Sequence, residues 1–398
     1  MSLPIKVAIL GFFTPSCLED LVPSLRQPGP AMPPGTGGTA VVNLVRCRLA
    51  QGLPTDVITC DPLAAQEICR WESDILRLWV VRRRPHRAVR DAYRIERRLI
   101  HQALSESRAE VCHAHWTYEF ALAGLTQAAM PCVVTVHDNA ARILRFVGLP
   151  YLGQYLITRW VLSRARLLTA VSPYIAGVLS RRRKDPVPVI PNTFCSWIND
   201  ARAARGREAP AGPPTIVSTL DGGRLKNLKR ALRAFQMVRA QVPDVTYKLI
   251  GKNLYADSPS AQWAKANGLD AGVEFAGLRS YRDTLQEIAR AGALFHPSLE
   301  ESFGSPVAEA MLIGVPAVGA RQAGGVRWLL DEGRAGALTD GLSPRAMAAS
   351  LLDCLQSRPD PELLSAARRR AEEICDPQRV IAQYEQVYRQ ALQESHGP

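Results

Sequence analysis

The sequence predicts an α/β protein of two doubly wound domains, each a parallel sheet flanked by helices. Three observations carry that reading. Strand-like apolar runs alternate with helix-like runs almost throughout, the order that parallel sheets require. Several of the strand-like runs are continuously apolar, as strands buried on both faces are. Near the middle lies "ARAARGREAPAGPP", which has no apolar period and reads as a linker, so the boundary falls within 193–214.

In the first half the strand-like runs are "KVAILGFF", "TDVITC", "ILRLWVV", "VCHAH", "CVVTVHD", "LLTAVS" and "VPVIPN". Helical patterns lie between them, such as "TAVVNLVRCRLAQ", which Gly52 stops. Residues 14–36, with six prolines, form the one long irregular loop, and loops of that length usually serve a function or move. The second half repeats the style with "TIVSTL", "TYKLIG", "VEFAG", "ALFHPS" and "PAVGA". Its final helix, "QRVIAQYEQVYRQAL", sets Val380, Ile381, Tyr384, Val387, Tyr388 and Leu392 on one side for packing. Ligands of such sheets bind outside the carboxyl ends of the strands, so a cleft between the two domains is the expected site.

Totals narrow the class. The chain has 398 residues, is 47% hydrophobic and 22% charged, and can bury a sizeable core. No run of about 18 apolar residues predicts a membrane-spanning helix. "MSLPIKVAIL" reads as the first buried strand and not as a signal peptide. Nine cysteines without a C-x-x-C pair fit ordinary thiols of a reducing cytosol. The net charge of +12 is uneven: residues 1–199 have 24 basic and 14 acidic residues, hence +10, and residues 200–398 have 25 and 23, hence +2. The first half therefore faces something anionic or is only generically solvated.

The most informative stretch is "ESFGSPVAEA", residues 301–310, after the strand "ALFHPS". Glu301 stands on the loop, Ser305 is a good N-cap, Pro306 suits the first helical position and Gly314 closes the helix. Backbone N–H groups from Gly304 onward, with the helix dipole, suit a pyrophosphate. Glu309, about 6 Å along the axis from the cap, can accept two hydrogen bonds from a vicinal diol such as a ribose. Glu301, across the phosphates, can meet sugar hydroxyls. Sugar, diphosphate and ribose in that order make a nucleotide sugar. The plain alternative is an acidic helix start that only complements the dipole.

"PSLEESFGSPVAEAMLIGVPAVG" resembles the E-x7-E segment of the retaining GT-B glycosyltransferases of family 4, in the Glu301–Glu309 spacing, in Phe303–Gly304 and in the following "EAM…G.P.V". The resemblance implies a GT-B fold of two Rossmann-like domains facing across a cleft. It implies an acceptor-side domain of 1–193 with a crossover helix of 378–398, and a donor domain of 194–377. It implies that Glu301 contacts the donor sugar, that Glu309 holds the ribose, and that the backbone of Phe303, Gly304 and Ser305 meets the diphosphate. In "TLDGGRLKNLKRALRAF", Lys226–Asn227 matches the family's Lys before a helix, which implies that Lys226 neutralises the diphosphate. Arg224 is near the family's arginine but out of register. "VVTVHD" resembles the family's His-Asp at a strand end, so His137 is expected at the donor sugar, and Gly38 and Thr39 belong to a Gly-Gly loop near the donor phosphates. Leu278 lies where backbone contacts choose the base, and "VIPNTF" with Asn192 resembles the family's hinge. One position departs: Trp328 stands where the family has a Glu, in "GGVRWLLDEG".

Two further readings concern partners. His113 and His115 share a strand face, but no third ligand is placed, so they are cleft-lining or structural. No metal and no cofactor is expected beyond the nucleotide-sugar substrate. The segment 81–104 reads as a basic helix with Arg87, Arg90, Arg94, Arg97 and Arg98 on one broad side, while Ala88, Ala92, Ile95 and Leu99 face elsewhere. It is a solvated face or a contact for anionic lipid or a lipid-linked acceptor. No recognition-helix, RNP or zinc-finger pattern supports nucleic acid. The expectation is a cytoplasmic enzyme, peripheral at the inner membrane face, that passes a sugar to a glycan or lipid-linked hydroxyl with retention. A 2-epimerase of the same fold and a catalytically silent binding protein are the rivals. A dinucleotide oxidoreductase lacks its G-x-G-x-x-G after a strand.

Overall fold

The computed structural model describes residues 4–22, 32–85, 88–181, 183, 185–207, 213–356 and 360–395. Its strands are β1 (Val7–Leu10), β2 (Thr55–Asp61), β3 (Ile68–Glu72), β4 (Leu76–Arg82), β5 (Val111–His115), β6 (Cys132–Val136) and β7 (Leu167–Ala170), then β8 (Thr215–Thr219), β9 (Thr246–Ile250), β10 (Val273–Gly277), β11 (Ala293–His296), β12 (Ala317–Ala320) and β13 (Ala337–Thr339). They make two sheets, ordered β3-β4-β2-β1-β5-β6-β7 and β10-β9-β8-β11-β12-β13. The chain divides into two compact units, 1–195 with 376–398, and 196–375.

In the first unit every pairing is parallel except that of β3 with β4. The antiparallel edge strand was not expected from the sequence. "ICRWE" alternates buried and solvent-facing residues, as an edge strand can, and so lacks the continuous apolar signature of its neighbours. "VPVIPN", expected as a strand, forms only a bridge from Val189 to Ala170. Pro186, Pro188 and Pro191 remove the donors a ladder would need. The Thr39–Ala50 helix buries Val41, Val42, Leu44, Val45 and Leu49. It also buries two arginines, each of which has a partner: Arg46 meets Asp20 at 2.6 Å and Arg48 meets Glu385 at 2.7 Å. The expected long loop is partly anchored: Pro15–Leu18 is a short 3-10 helix and Gly35 donates to Asp61, while 23–31 lie outside the described residues. The Pro377–Ser395 helix buries Val380, Ile381, Tyr384, Val387, Tyr388 and Ala391, and belongs to this unit.

The 81–104 segment is not one helix. It is the end of β4, a 3-10 turn (Ala88–Asp91), a break with Ala92 and Tyr93 at positive φ, and a helix Arg94–Glu106. Several of its arginines are spent internally: Arg83 pairs with the buried Glu119, and Arg84 with Asp91 and Glu96. Ile95, expected to face inward, is 40% exposed, and Arg87 lies outside the described residues.

In the second unit every pairing between strands is parallel. Its core gathers Leu232, Phe235, Tyr247, Leu249, Phe295 and Leu351, with no exposure beyond a trace. Each such side chain contributes about 1.5–3 kcal/mol by leaving water. β13 was missed because its three residues carry no period. Among the described residues no helix is long and apolar enough to cross a membrane.

Candidate active site

In the second sheet β8 and β11 are neighbours, but the chain leaves them in opposite directions, β8 toward β9 and β11 toward β12. Such a switch point opens a crevice at the carboxyl ends of the strands. The two loops that leave it, 220–227 and 297–304, are tied together. Leu299 N–H donates to Leu225 carbonyl at 2.9 Å, and the Asn227 amide donates to the carbonyls of Pro297 and Gly341. Asn227 takes a left-handed conformation (φ 58°), which Asn tolerates better than most residues.

These ties bring Lys226 and Glu301 together. Lys226 Nζ lies 2.5 Å from Glu301 Oε1, with side chains 26% and 15% exposed. His296, at the end of β11 and buried, places Nε2 3.1 Å from the same oxygen. Burial alone would raise the Glu301 pKa, but the Lys226 charge and His296 outweigh it and hold the carboxyl well below its ordinary value. Glu301 is therefore a carboxylate at any physiological pH. Arg224 heads the short 3-10 helix before Lys226 and is exposed.

The Ser305–Ile313 helix starts differently from expectation. Its N-cap is Gly304, at φ 95° and ψ 53°, and Ser305 is the first helical residue, with no side-chain cap. A β-carbon on Gly304 would stand 2.9 Å from Val326, so the position requires glycine twice over. Among the described residues the N–H groups of Gly304 and Ser305 find no acceptor. Phe303 is buried with its ring edge-on to Trp328 at 6.0 Å, so only its backbone faces outward chemistry. Gly325 packs so closely on Ser302 and Phe303 that a β-carbon would stand about 2.5 Å from their backbone, and Gly325 N–H donates to Glu301 carbonyl at 2.9 Å. Glu309 is 3% exposed, and burial pushes its carboxyl up to about 7, with a Tyr281 hydrogen bond opposing. Leu278 is 79% exposed on the turn that leads to Tyr281.

The first unit has its own switch point, between β1 and β5. Gly38 caps the Thr39–Ala50 helix at φ 80°, where a β-carbon would collide with the Phe12 carbonyl, and Thr39 is half-buried at the first position. His137 follows β6. Its Nε2 lies 2.9 Å from Nδ1 of His115, and its ring stacks on Trp116 with centroids 4.5 Å apart. Trp116 holds φ 61°, an uncommon conformation for a bulky residue and one that clusters at functional sites. His113 continues the row: Nδ1 to the Tyr388 hydroxyl and Nε2 to the Thr135 hydroxyl, both at 2.7 Å. Burial pushes His137 down to about 3 and lowers His113 and His115 as well, so the row is neutral at pH 7.

Lys226, Glu301, Gly304, Ser305 and Glu309 thus lie on one loop pair and one helix, with Arg224, Leu278 and Phe303 around them. Gly38, Thr39 and His137 belong to the other unit. Sequence reasoning missed His296, Tyr281 and Trp116. His296 ends the strand before Glu301 in "ALFHPS", a signal that could have been used; the packing of Tyr281 against Glu309 leaves no local mark. Among the described residues no three His, Cys, Asp or Glu side chains gather as a metal site.

The chain is similar to known proteins in both units. A family described as Glycosyltransferase Family 4 matches residues 37–194, and one described as Glycosyl transferases group 1 matches residues 201–373. A D-inositol 3-phosphate glycosyltransferase of Nocardioides sp. is 29% identical over 199 residues, 46% of this chain and 43% of that protein. Its counterpart from Thermobispora bispora is 30% identical over 219 residues, 52% and 51% of the two chains. The chain spans about half the length of the curated relatives it matches. Among solved structures, sucrose-phosphate synthase from Thermosynechococcus elongatus superposes with a TM-score of 0.73 at 18% identity, over 97% of this chain and 98% of that one. Anabaena HepE, solved in complex with UDP-glucose, gives a TM-score of 0.68 at 19% identity, over 98% and 100%. With one family match in each unit and one shared architecture, the chain belongs to the GT-B glycosyltransferases of the family 4 type.

Proposed function

We propose that the chain transfers a sugar from a nucleoside diphosphate donor to an acceptor hydroxyl, with retention at the anomeric carbon. The observation that carries this reading is the Lys226–Glu301 pair at the switch point, one loop from the unsatisfied amides of Gly304 and Ser305 and one helix turn from Glu309. Lys226 and the two amides meet the diphosphate, Glu309 takes the ribose diol, and Glu301 accepts from sugar hydroxyls. As the bond from the anomeric carbon to the phosphate oxygen breaks, negative charge builds on the leaving diphosphate, where Lys226 and the amides stabilise it. The acceptor oxygen bonds to the same face of the anomeric carbon and its proton passes to the leaving phosphate oxygen. No metal step is included.

His137 stands neutral, so it offers a hydrogen bond to the donor sugar and no charge. Its Nε2 is taken by His115, which leaves Nδ1 for a ligand. Uridine is the base to test first, because HepE was solved with UDP-glucose. The name of the curated relatives makes a phosphorylated cyclitol one acceptor to include.

The test is a thermal-shift screen with UDP, GDP, ADP and dTDP sugars, followed by hydrolysis and transfer assays on those that bind, with EDTA in parallel. A stabilising donor, turnover that survives EDTA and a product of unchanged anomeric configuration support the reading. Release of a 2-epimer, or no stabilisation by any donor, contradicts it.

A further inference from the structure

We propose that the outward face of the Leu152–Arg164 helix, with the turn before it, docks on an anionic lipid bilayer. This surface is separate from the Lys226–Glu301 site and does not depend on the function proposed for it. The helix is apolar on two sides. One side is used for packing, with Thr158 and Val161 buried. The opposite side shows Leu152, Leu156 and Trp160, one turn apart each, at 39%, 58% and 38% exposure. Leu149, in the preceding turn, is 81% exposed. A helix already anchored through its other side gains nothing from three large apolar residues in water, and contiguous exposed apolar surface marks a partner.

Charge identifies the partner. Between Asp138 and Asp185 the chain has nine basic residues and no acid, which nearly equals the +10 excess of the whole first half. Arg159 and Arg164 project on the same outward side as the apolar stripe, and the Arg164 guanidinium lies 6.0 Å from the Trp160 ring. Trp and Leu flanked by arginine are the composition of interfacial helices: the rings and alkyl groups enter the acyl boundary and the guanidinium groups meet lipid phosphates. A second copy of this chain on the same face would set these arginines against each other, which argues against self-association. The face also continues into the basic 81–104 region. Val89 packs on Gly153 of the helix, and the exposed Arg90 is next to it. Apolar insertion and a basic rim are the two signals that reversible membrane binding needs.

Vesicle co-sedimentation tests this, with phosphatidylcholine alone and with added phosphatidylglycerol, at low and physiological salt. The full chain should partition onto anionic vesicles, fall off as salt rises, and ignore neutral ones. The double variant Leu156→Ser with Trp160→Ser should lose at least about tenfold of that partitioning, since an interfacial helix binds through its buried apolar area. Arg159→Gln with Arg164→Gln should weaken binding and flatten its salt dependence. Trp160→Phe should remove most of the quenching of tryptophan fluorescence by brominated lipid. All these residues are exposed, so circular dichroism and donor hydrolysis should match the parent. Three results would overturn the proposal: no binding at low salt; unchanged partitioning in the Leu156/Trp160 variant; or a dimer in sedimentation velocity that the same variant dissolves, which would assign the stripe to a second copy.

Discussion

At the switch point of the second sheet stand Lys226 and Glu301, 2.5 Å apart and partly exposed; at the carboxyl ends of β5 and β6 in the first stand His115 and His137, 2.9 Å apart and buried. In the first pair Glu301 is held charged by Lys226 and His296, and the second pair is held neutral by burial. The same sheet plan thus carries two kinds of chemistry. Burial pushes His137 down to about 3, so in the ligand-free site its imidazole carries no charge at pH 7. In the function proposed above, compensation of leaving-group charge is assigned to Lys226 and the amides at 304 and 305. The histidine row can only orient and hydrogen-bond.

The largest effect should come from breaking the charged side of this contrast. Lys226→Ala should lower kcat by about 10²–10³, the size of one lost transition-state donor. Nucleoside diphosphate affinity should fall by much less, and single-turnover kinetics beside calorimetry separate the two. Equal losses in both would mean that Lys226 binds without stabilising the leaving group. On the neutral side, His137→Ala should lower turnover by a smaller factor, about 10–100, within the range of a lost hydrogen bond to a reacting substrate. Free nucleotide binding should be nearly unchanged, because His137 belongs to the other unit. Loss of nucleotide binding in a still-folded protein would reject that placement.

A smaller effect sharpens the contrast through pH. Glu309 is raised to about 7 by burial, against about 4.5 when unfolded. The native state then binds more protons between those values, so its contribution to stability is full below about 4.5 and is lost as pH rises through 7. His137 has the opposite sign. Its pKa falls from 6.5 to about 3, so its contribution is present above 6.5 and is lost as pH falls toward 3. Glu309→Gln should therefore gain stability relative to the parent as pH rises from 5 to 8, by up to about 1.4 kcal/mol per pH unit. Unfolding midpoints across that range measure it, and a difference independent of pH would place Glu309 in a more polar setting.

Much of this was legible from the sequence, for stated physical reasons. The parallel strands were visible because burial on both faces writes continuous apolar runs; β3 was not, because an edge strand alternates and "ICRWE" is short. "VPVIPN" misled because apolar residues alternate there with prolines, and the proline constraint wins over the apolar pattern. The Glu301–Glu309 spacing and Lys226 were readable as local motifs. The direct Lys226–Glu301 contact was not, since it depends on the neighbouring positions of β8 and β11 in the sheet. Ser305 seemed the natural cap, yet Gly304 takes it, because the close approach of Val326 leaves no room for a β-carbon. The 81–104 arginines looked like one helical face because charge density was read without the break at Ala92 and Tyr93, both at positive φ, and without the pairing of Arg84 to Asp91 and Glu96.

The central claim is that the second unit holds a nucleoside diphosphate through Glu309 and the helix start at Gly304. Calorimetric titration of UDP, or of whichever diphosphate the donor screen selects, into the parent and into Glu309→Ala tests it most directly. At pH 8, where the carboxylate prevails, the variant should lose about 1.5–3 kcal/mol of binding free energy, the cost of a charge-assisted hydrogen bond. At pH 6 the parent should have weakened toward the variant, because Glu309 is then largely protonated. Equal affinity of parent and variant at pH 8 would contradict the claim and leave Glu309 as a buried structural acid bonded to Tyr281.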